Sequence, residues 1–249
     1  MQHKVSISII TYNEEKVIEK CLEKLYWADE IVVIDSGSTD NTVAICEKYK
    51  AKVIYHKFEN FGLQKQFALN QTKNDWVLSL DADEVLSEEL IGEIKTLDFS
   101  KANGFLIPRT HVFLNKIFHY GAESKRPILR LFNKQYGKFT EAKVHEVIEV
   151  TGAIGSLKNE MLHYTVFDIS TAINKQIKYA LLSGELLFEK NKKPSTLKTV
   201  FKFKFDFIRY YILQRNFLNG YHGFVWSMFS AFCGFLKYAK LKDLHQNKS

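Results

Sequence analysis

Two aspartates stand directly after an apolar run: Asp81 and Asp83 follow Trp76, Val77, Leu78, Ser79 and Leu80. The run has the composition of a buried strand, and alternate residues of an extended chain point to the same side. Both carboxylates can therefore face one pocket at the carboxyl end of that strand. Oxygen ligands of this kind suit Mg2+ or Mn2+ bridged to a diphosphate. A hard cation is usually held by one or two carboxylates together with phosphate oxygens. Taken alone, an acidic pair after a strand is as readily a loop cap, so its meaning depends on the elements before it.

Those elements alternate. A short apolar run over 5–10 is followed by Thr11, Tyr12, Asn13, Glu14 and Glu15, polar residues of the kind that start helices. Val17, Ile18, Cys21, Leu22, Leu25 and Tyr26 recur at the three-to-four-residue spacing of an amphipathic helix. A second strand is expected over 30–34, ending in the small and capping residues of 35–40. A helix carrying Val43, Cys46 and Tyr49 on its apolar face comes next. A third strand over 52–55, a short helix over 62–71 and the strand before Asp81 complete the series. Strands alternating with short helices argue for right-handed βαβ units and a mostly parallel sheet. In such sheets ligands bind beyond the carboxyl ends of the strands. The polar clusters at 11–15, 35–40 and 81–84 are thus expected around one crevice. Each loop singly would pass as a helix N-cap or a solvated turn; the three in this order make a candidate site.

The segments 9–15, 34–40 and 80–84 together resemble the family 2 glycosyltransferases, which have a GT-A fold and use sugar nucleotides. The stretches 26–31 and 61–68 look like the bacterial subgroup that adds glucose or a similar sugar to the lipopolysaccharide core. Beyond the first half the likeness rests on Arg130, Leu131 and Phe132 and on Val144, His145 and Glu146. The resemblance implies an α/β GT-A catalytic domain over 1–165, with a nucleotide-sugar half at 1–100 and an acceptor half at 101–165. A helical, membrane-associating region over 166–249 would follow. Thr11, Asn13 and Glu15 would line the nucleotide pocket near ribose and base, and Asp35 would accept a hydrogen bond from uracil. Lys65 would meet ribose or phosphate, Asp83 would ligate the cation, and Asp81 would contact ribose or metal-bound water. Ser36 stands where many members carry a second acidic residue, a departure that bears on the donor base.

Inverting transfer needs a carboxylate or imidazole to take the acceptor hydroxyl's proton. The leaving nucleoside diphosphate needs its developing charge neutralised, which is the metal's task. With the aspartates committed, the base is sought in the second half. Glu146 is the first choice on the strength of the resemblance, with His145 as neighbour or substitute; otherwise Glu146 is a surface residue of an alternating strand. His163 is a further metal ligand or diphosphate contact, or a structural histidine bonded to a carbonyl. Arg126 and Arg130 either clamp phosphate through a rigid donor fork or are solvated charges on an edge strand.

At 249 residues and 46% hydrophobic the chain can bury a full core. Its three cysteines, Cys21, Cys46 and Cys233, lack metal-ligand spacing and read as small core hydrophobes in a reducing compartment. The N-terminus runs into a core strand with no secretory signal, so a cytoplasmic location is expected. A net charge of +7 owes its sign to a C-terminal basic surplus. There Lys198, Lys202, Lys204, Arg209 and Arg215 interleave with Phe201, Phe203, Phe205, Phe207 and Tyr210, a mixture that fits an interfacial segment on anionic lipid. The window 216–236 has no formal charge and is long enough to span a bilayer. Asn216, Asn219, Gly220, His222 and Gly223 spoil its first third, so peripheral insertion at the inner membrane is expected over a packed core helix or a true span.

Three rivals differ in readable ways. Haloacid-dehalogenase-type phosphatases place their aspartate pair after the first strand, whereas here it follows about the fourth. Sugar nucleotidyltransferases open with a glycine-rich phosphate loop, and 11–15 contains no glycine. A basic membrane- or nucleic-acid-binding module fits the charge balance. Yet the crevice loops are acidic and no nucleic-acid motif is present, so no nucleic-acid partner is expected. The expected partners are a nucleotide-sugar donor and a lipid-linked or lipopolysaccharide core acceptor. The reading reached is an inverting, metal-dependent hexosyltransferase using UDP-glucose.

Overall fold

Apolar and β-branched side chains dominate the segments that become the central strands. Val5–Thr11 is β1, Glu30–Asp35 β2, Lys52–Tyr55 β3 and Trp76–Asp81 β4. Nearly every residue of β1 and β4 is buried, as expected for strands covered on both faces. The helices between them are α1 (Ile18–Glu23), α2 (Thr42–Lys48) and α3 (Phe61–Asn70). This computed structural model describes residues 3–140, 147–166 and 169–246.

The later strands are β5 (Glu84–Leu86), β6 (Gly104–Phe113), β7 (Lys116–Ile117), β8 (Arg126–Asn133) and β9 (Gly137–Phe139). They are followed by β10 (Ile148–Val150), β11 (Ile154–Ser156) and β12 (Met161–Val166). The main sheet runs β3-β2-β1-β4-β8-β6-β12-β5. β3, β2, β1 and β4 pair in parallel, whereas β8 joins both β4 and β6 antiparallel. The βαβ half is thus extended by an antiparallel half, giving a mixed α/β sheet of the GT-A kind.

Alternation along each strand sends its side chains to two cores. Ile7, Ile9, Val33, Leu78 and Leu80 pack with Ile18, Leu22 and Cys46 and with Leu90, Ile91 and Ile94 of α4 (Glu88–Lys95). On the other face Val32 and Ile34 meet Ala68, and Val77 meets Leu69 and Phe132. Local capping starts the helices where the strands release the chain. The Asn60 side chain accepts from the Leu63 amide at 2.9 Å, and Ser87 from the Leu90 amide at 3.1 Å. Cys21 and Cys46 lie in this core as free thiols, and burial pushes the Cys46 thiol up to about 12.

Two compact units are present: Met1–Thr110 with Lys125–Tyr164, and His111–Ser124 with Thr165–Ser249. The second unit contains α5 (Ile169–Glu189), α6 (Thr196–Ile208), a π-helical turn over Arg209–Leu213 and α7 (Gly220–Gln246). Pro194 separates α5 from α6, and the Ser195 hydroxyl caps the new helix by accepting from the Lys198 amide. Asn216 and Asn219, read in the sequence as blemishes in an apolar window, are buried and structural. Asn219 accepts from the His119 amide at 3.2 Å and donates to the Tyr120 carbonyl at 3.0 Å, fastening the 111–124 excursion.

α6 is turned inside out. Leu197 (70% exposed), Phe201 and Phe205 (61% exposed), with Ile208, face outward at helical spacing, whereas Thr199 and Asp206 are buried. α7 repeats the arrangement, with Phe224, Met228 and Phe232 outward and Gly223, Ser227 and Ala231 inward. A water-soluble helix normally does the reverse. Among the described residues no helix is long and apolar enough to cross a membrane.

Candidate functional site

Parallel register brings the predicted loops together. Thr11 pairs with Asp35, and Ile10 with Asp81, so β1, β2 and β4 end at one edge of the sheet. Asn13 follows with a left-handed backbone, φ 55°. Its side-chain oxygen accepts from the Thr39 amide at 2.8 Å, and its own amide donates to Ser38 Oγ at 2.9 Å. Glu15 accepts from both the backbone and side-chain nitrogens of Asn41, at 3.1 and 3.0 Å. Asp35 is buried and shapes its own turn, accepting from the amides of Gly37 and Ser38 at 2.8 and 2.9 Å. Gly37 has φ +95°, a conformation in which a side chain would be strained. Asn13, Glu15 and Asp35 thus build the crevice rim by cross-linking its loops. Thr11 Oγ1 is buried with no hydrogen-bond partner among the described residues.

The floor is an ionic cluster. Asp81 pairs with Lys65 at 2.7 Å and with Arg130 at 2.6 Å. Arg130 also reaches Glu84 at 2.7 Å, and Arg109 reaches the same Glu84 oxygen at 3.1 Å. Glu84 is fully buried, and its second oxygen accepts from the Asp81 amide at 3.1 Å. Burial raises the Asp81 carboxyl, but the Arg130 guanidinium and the Lys65 ammonium outweigh it and hold it well below the usual carboxylate range. Lys65, Asp81 and Arg130 therefore come together as partners of one another, and Arg130 is buried rather than a solvated charge on an edge strand.

Asp83 stands apart from that cluster. Its Oδ2 lies 3.3 Å from His163 Nε2, while Oδ1 is buried with no hydrogen-bond partner among the described residues. β12 brings His163 there by pairing antiparallel with β5, His163 opposite Glu84. A buried carboxylate oxygen without a partner is costly, and a cation would relieve it. Among the described residues no group of three or more His, Cys, Asp or Glu side chains forms a metal cage. The donors fit an ion that completes its shell with phosphate oxygens and water, as hard cations do. A carboxylate beside an imidazole suits Mn2+ better than Mg2+.

Arg126 lies exposed at the start of β8, opposite Arg109. His145 and Glu146 lie outside the described residues. Glu84, Arg109 and Gln64 were not assigned roles from sequence. Gln64 is buried, bonds His56 Nδ1 at 2.7 Å and donates to Ser36 Oγ at 3.0 Å, tying α3 to the turn after β2. The signal for Glu84 was present: an acid one residue past an aspartate pair, inside an apolar strand.

Known proteins extend this geometry. Residues 6–155 match the family described as Glycosyl transferase family 2. An "Uncharacterized glycosyltransferase" of Rickettsia bellii is 33% identical over 97% of this chain and 87% of its own length. The "Lipopolysaccharide core biosynthesis glycosyltransferase LpsC" of Rhizobium meliloti is 32% identical over 98% of this chain and 94% of its own. Among solved structures, S. aureus TarS 1-349 superposes with a TM-score of 0.48 at 18% identity, covering 98% of this chain and 92% of that one. With the family profile covering residues 6–155 and relatives matching almost end to end, this chain belongs to glycosyltransferase family 2.

Proposed function

We propose that this enzyme is an inverting hexosyltransferase that moves glucose from UDP-glucose onto a lipopolysaccharide core or a related envelope glycan. The observation that carries the reading is the buried, partnerless Asp83 Oδ1 beside His163 at the end of the central strands. The similarity to LpsC supports the class of acceptor. Asp83 and His163 would hold Mg2+ or Mn2+, which when bound supplies positive charge to the leaving diphosphate. Thr11 offers its unpaired hydroxyl to the nucleoside. Asn13, Glu15 and Asp35 keep the nucleoside rim in shape, and Lys65 and Arg130 hold Asp81 ionised at the pocket floor. The acceptor's proton is assigned to Glu146, with His145 beside it. The catalytic domain is placed at 1–165 and a membrane-associating helical region at 166–249. The outward apolar face of α6, with the exposed Lys198 and Lys204 on the same helix, supports peripheral contact with the cytoplasmic face of the inner membrane.

Purified protein incubated with a panel of sugar nucleotides and Mn2+ tests the reading through slow release of free nucleotide. UDP release from UDP-glucose, abolished by chelation and restored by Mn2+, is the expected result. Asp83→Asn should lose Mn2+ binding by calorimetry while its melting temperature holds. Release that ignores chelation, or Mn2+ binding that survives the substitution, refutes the metal assignment.

A further inference from the structure

The helical unit carries an open cleft of about 470 Å3, a volume usual for small-molecule sites. Lys202, Asp206 and Arg209 of α6 and its π-helical extension line it, together with Lys237 and Tyr238 of α7 and Tyr210. Asp206 is the buried charge among them, and burying it costs free energy that apolar packing would have spared.

The charges are not balanced. Asp206 is 2% exposed and takes Lys202 at 2.8 Å and Arg209 at 3.4 Å. Glu123 is the other carboxylate among the described lining residues, against three cations. Lys198, Lys202 and Lys237 also crowd one ring, that of Tyr238, at 4.7, 5.9 and 6.0 Å from its centre. Three ammonium groups around one ring repel one another, and Asp206, paired with Lys202, offsets part of that repulsion. Arg209 Nε is buried with no hydrogen-bond partner among the described residues, while its guanidinium carbon lies 4.5 Å from the Tyr210 ring centre. The carboxylate's seat is built in, because a β-carbon at Gly234 would come within 2.3 Å of Asp206 Oδ2.

We propose that this cleft binds the anionic head group of a saccharide bearing phosphate or carboxylate. Arg209 and Lys237 meet the anion, Asp206 holds Lys202 and Arg209 in place, and the tyrosine rings cover the apolar sugar faces. The proposal does not rest on the transfer reaction, because it is read by binding alone.

Calorimetric titration of the full chain with glucose 6-phosphate, glucuronate, glucose and inorganic phosphate, without sugar nucleotide, tests it. Both anionic sugars should bind and glucose should not. Lys237→Ala and Arg209→Gln should each weaken glucose 6-phosphate by about tenfold or more, the scale of a lost charge-assisted bond, and leave Mn2+–UDP binding unchanged. Tyr238→Ala serves as a second variant should a lost cation loosen the unit; it should weaken the sugar phosphate and spare the melting temperature. Equal binding of glucose and glucose 6-phosphate overturns the proposal, as does unchanged affinity in all three variants. Inorganic phosphate binding as tightly as the sugar phosphate overturns the saccharide assignment. Displacement of glucose 6-phosphate by phosphatidylglycerol vesicles, whose head group carries no sugar, would likewise overturn the saccharide assignment.

Discussion

Glu84 gathers more of the crevice than either aspartate of the pair. One oxygen takes Arg130 and Arg109, and the other takes the Asp81 amide. A glutamine there would keep the shape but remove the charge and set an NH2 group against existing donors. Breaking a buried pair from one side typically costs about 3–5 kcal/mol, so Glu84→Gln should lower the urea midpoint by a corresponding amount. A loss under about 1 kcal/mol, the scale of a single ordinary hydrogen bond, would mean that the cluster is not a structural hub. Asp81 adds a pH signature. Its carboxyl is held low in the fold, so its stabilising charge is fully present above the unfolded value of about 3.9 and drains away as pH falls below it. Below pH 4 the stability of Asp81→Asn should fall less steeply than that of the parent, by up to about 1.4 kcal/mol per pH unit for one proton. Parallel pH profiles would contradict the ion pairs.

Elements differ in how far their sequence announces them. β1 to β4 and the helices between them were readable because period and punctuation agree: apolar runs end in Thr11, Asp35 and Asp81, and capping residues restart the chain. The ionic floor was not readable, since Arg109 and Arg130 reach Glu84 from antiparallel strands whose register no local pattern encodes. The Asn60 cap was likewise invisible until α3 was in place. In α6 the sequence offered a mixture of basic and aromatic residues, and a mixture does not say which face of a helix meets solvent. The answer, apolar outward, makes a sharp test. Replacing Phe201 and Phe205 together with serine should abolish sedimentation with phosphatidylglycerol vesicles. The same change should leave the melting temperature unchanged or higher, because neither ring is in the core. A large drop in melting temperature would show that the stripe packs against protein.

Across the whole chain, charge is segregated in a way that the net value of +7 conceals. Residues 1–100 carry 11 lysines, no arginine and 18 carboxylates, so the remaining 24 basic and 10 acidic residues fall in 101–249. A crevice formed at the strand ends of an acidic region repels a diphosphate, and Lys65 and Arg130 cannot offset this because Asp81 and Glu84 already engage them. A bound cation reverses the sign of that interaction. Salt screens exposed charges over about 8–10 Å at physiological strength, whichever sign the interaction has. Without divalent metal, then, the weak affinity for UDP should rise as NaCl goes from low to moderate concentration, because repulsion is being screened. With Mn2+ saturating, UDP affinity should fall over the same range, because attraction is being screened. Fluorescence or calorimetric titrations at several salt concentrations read both slopes. Slopes of the same sign with and without Mn2+ would show that the donor's phosphates are met by protein cations directly, and would move the donor site away from Asp83.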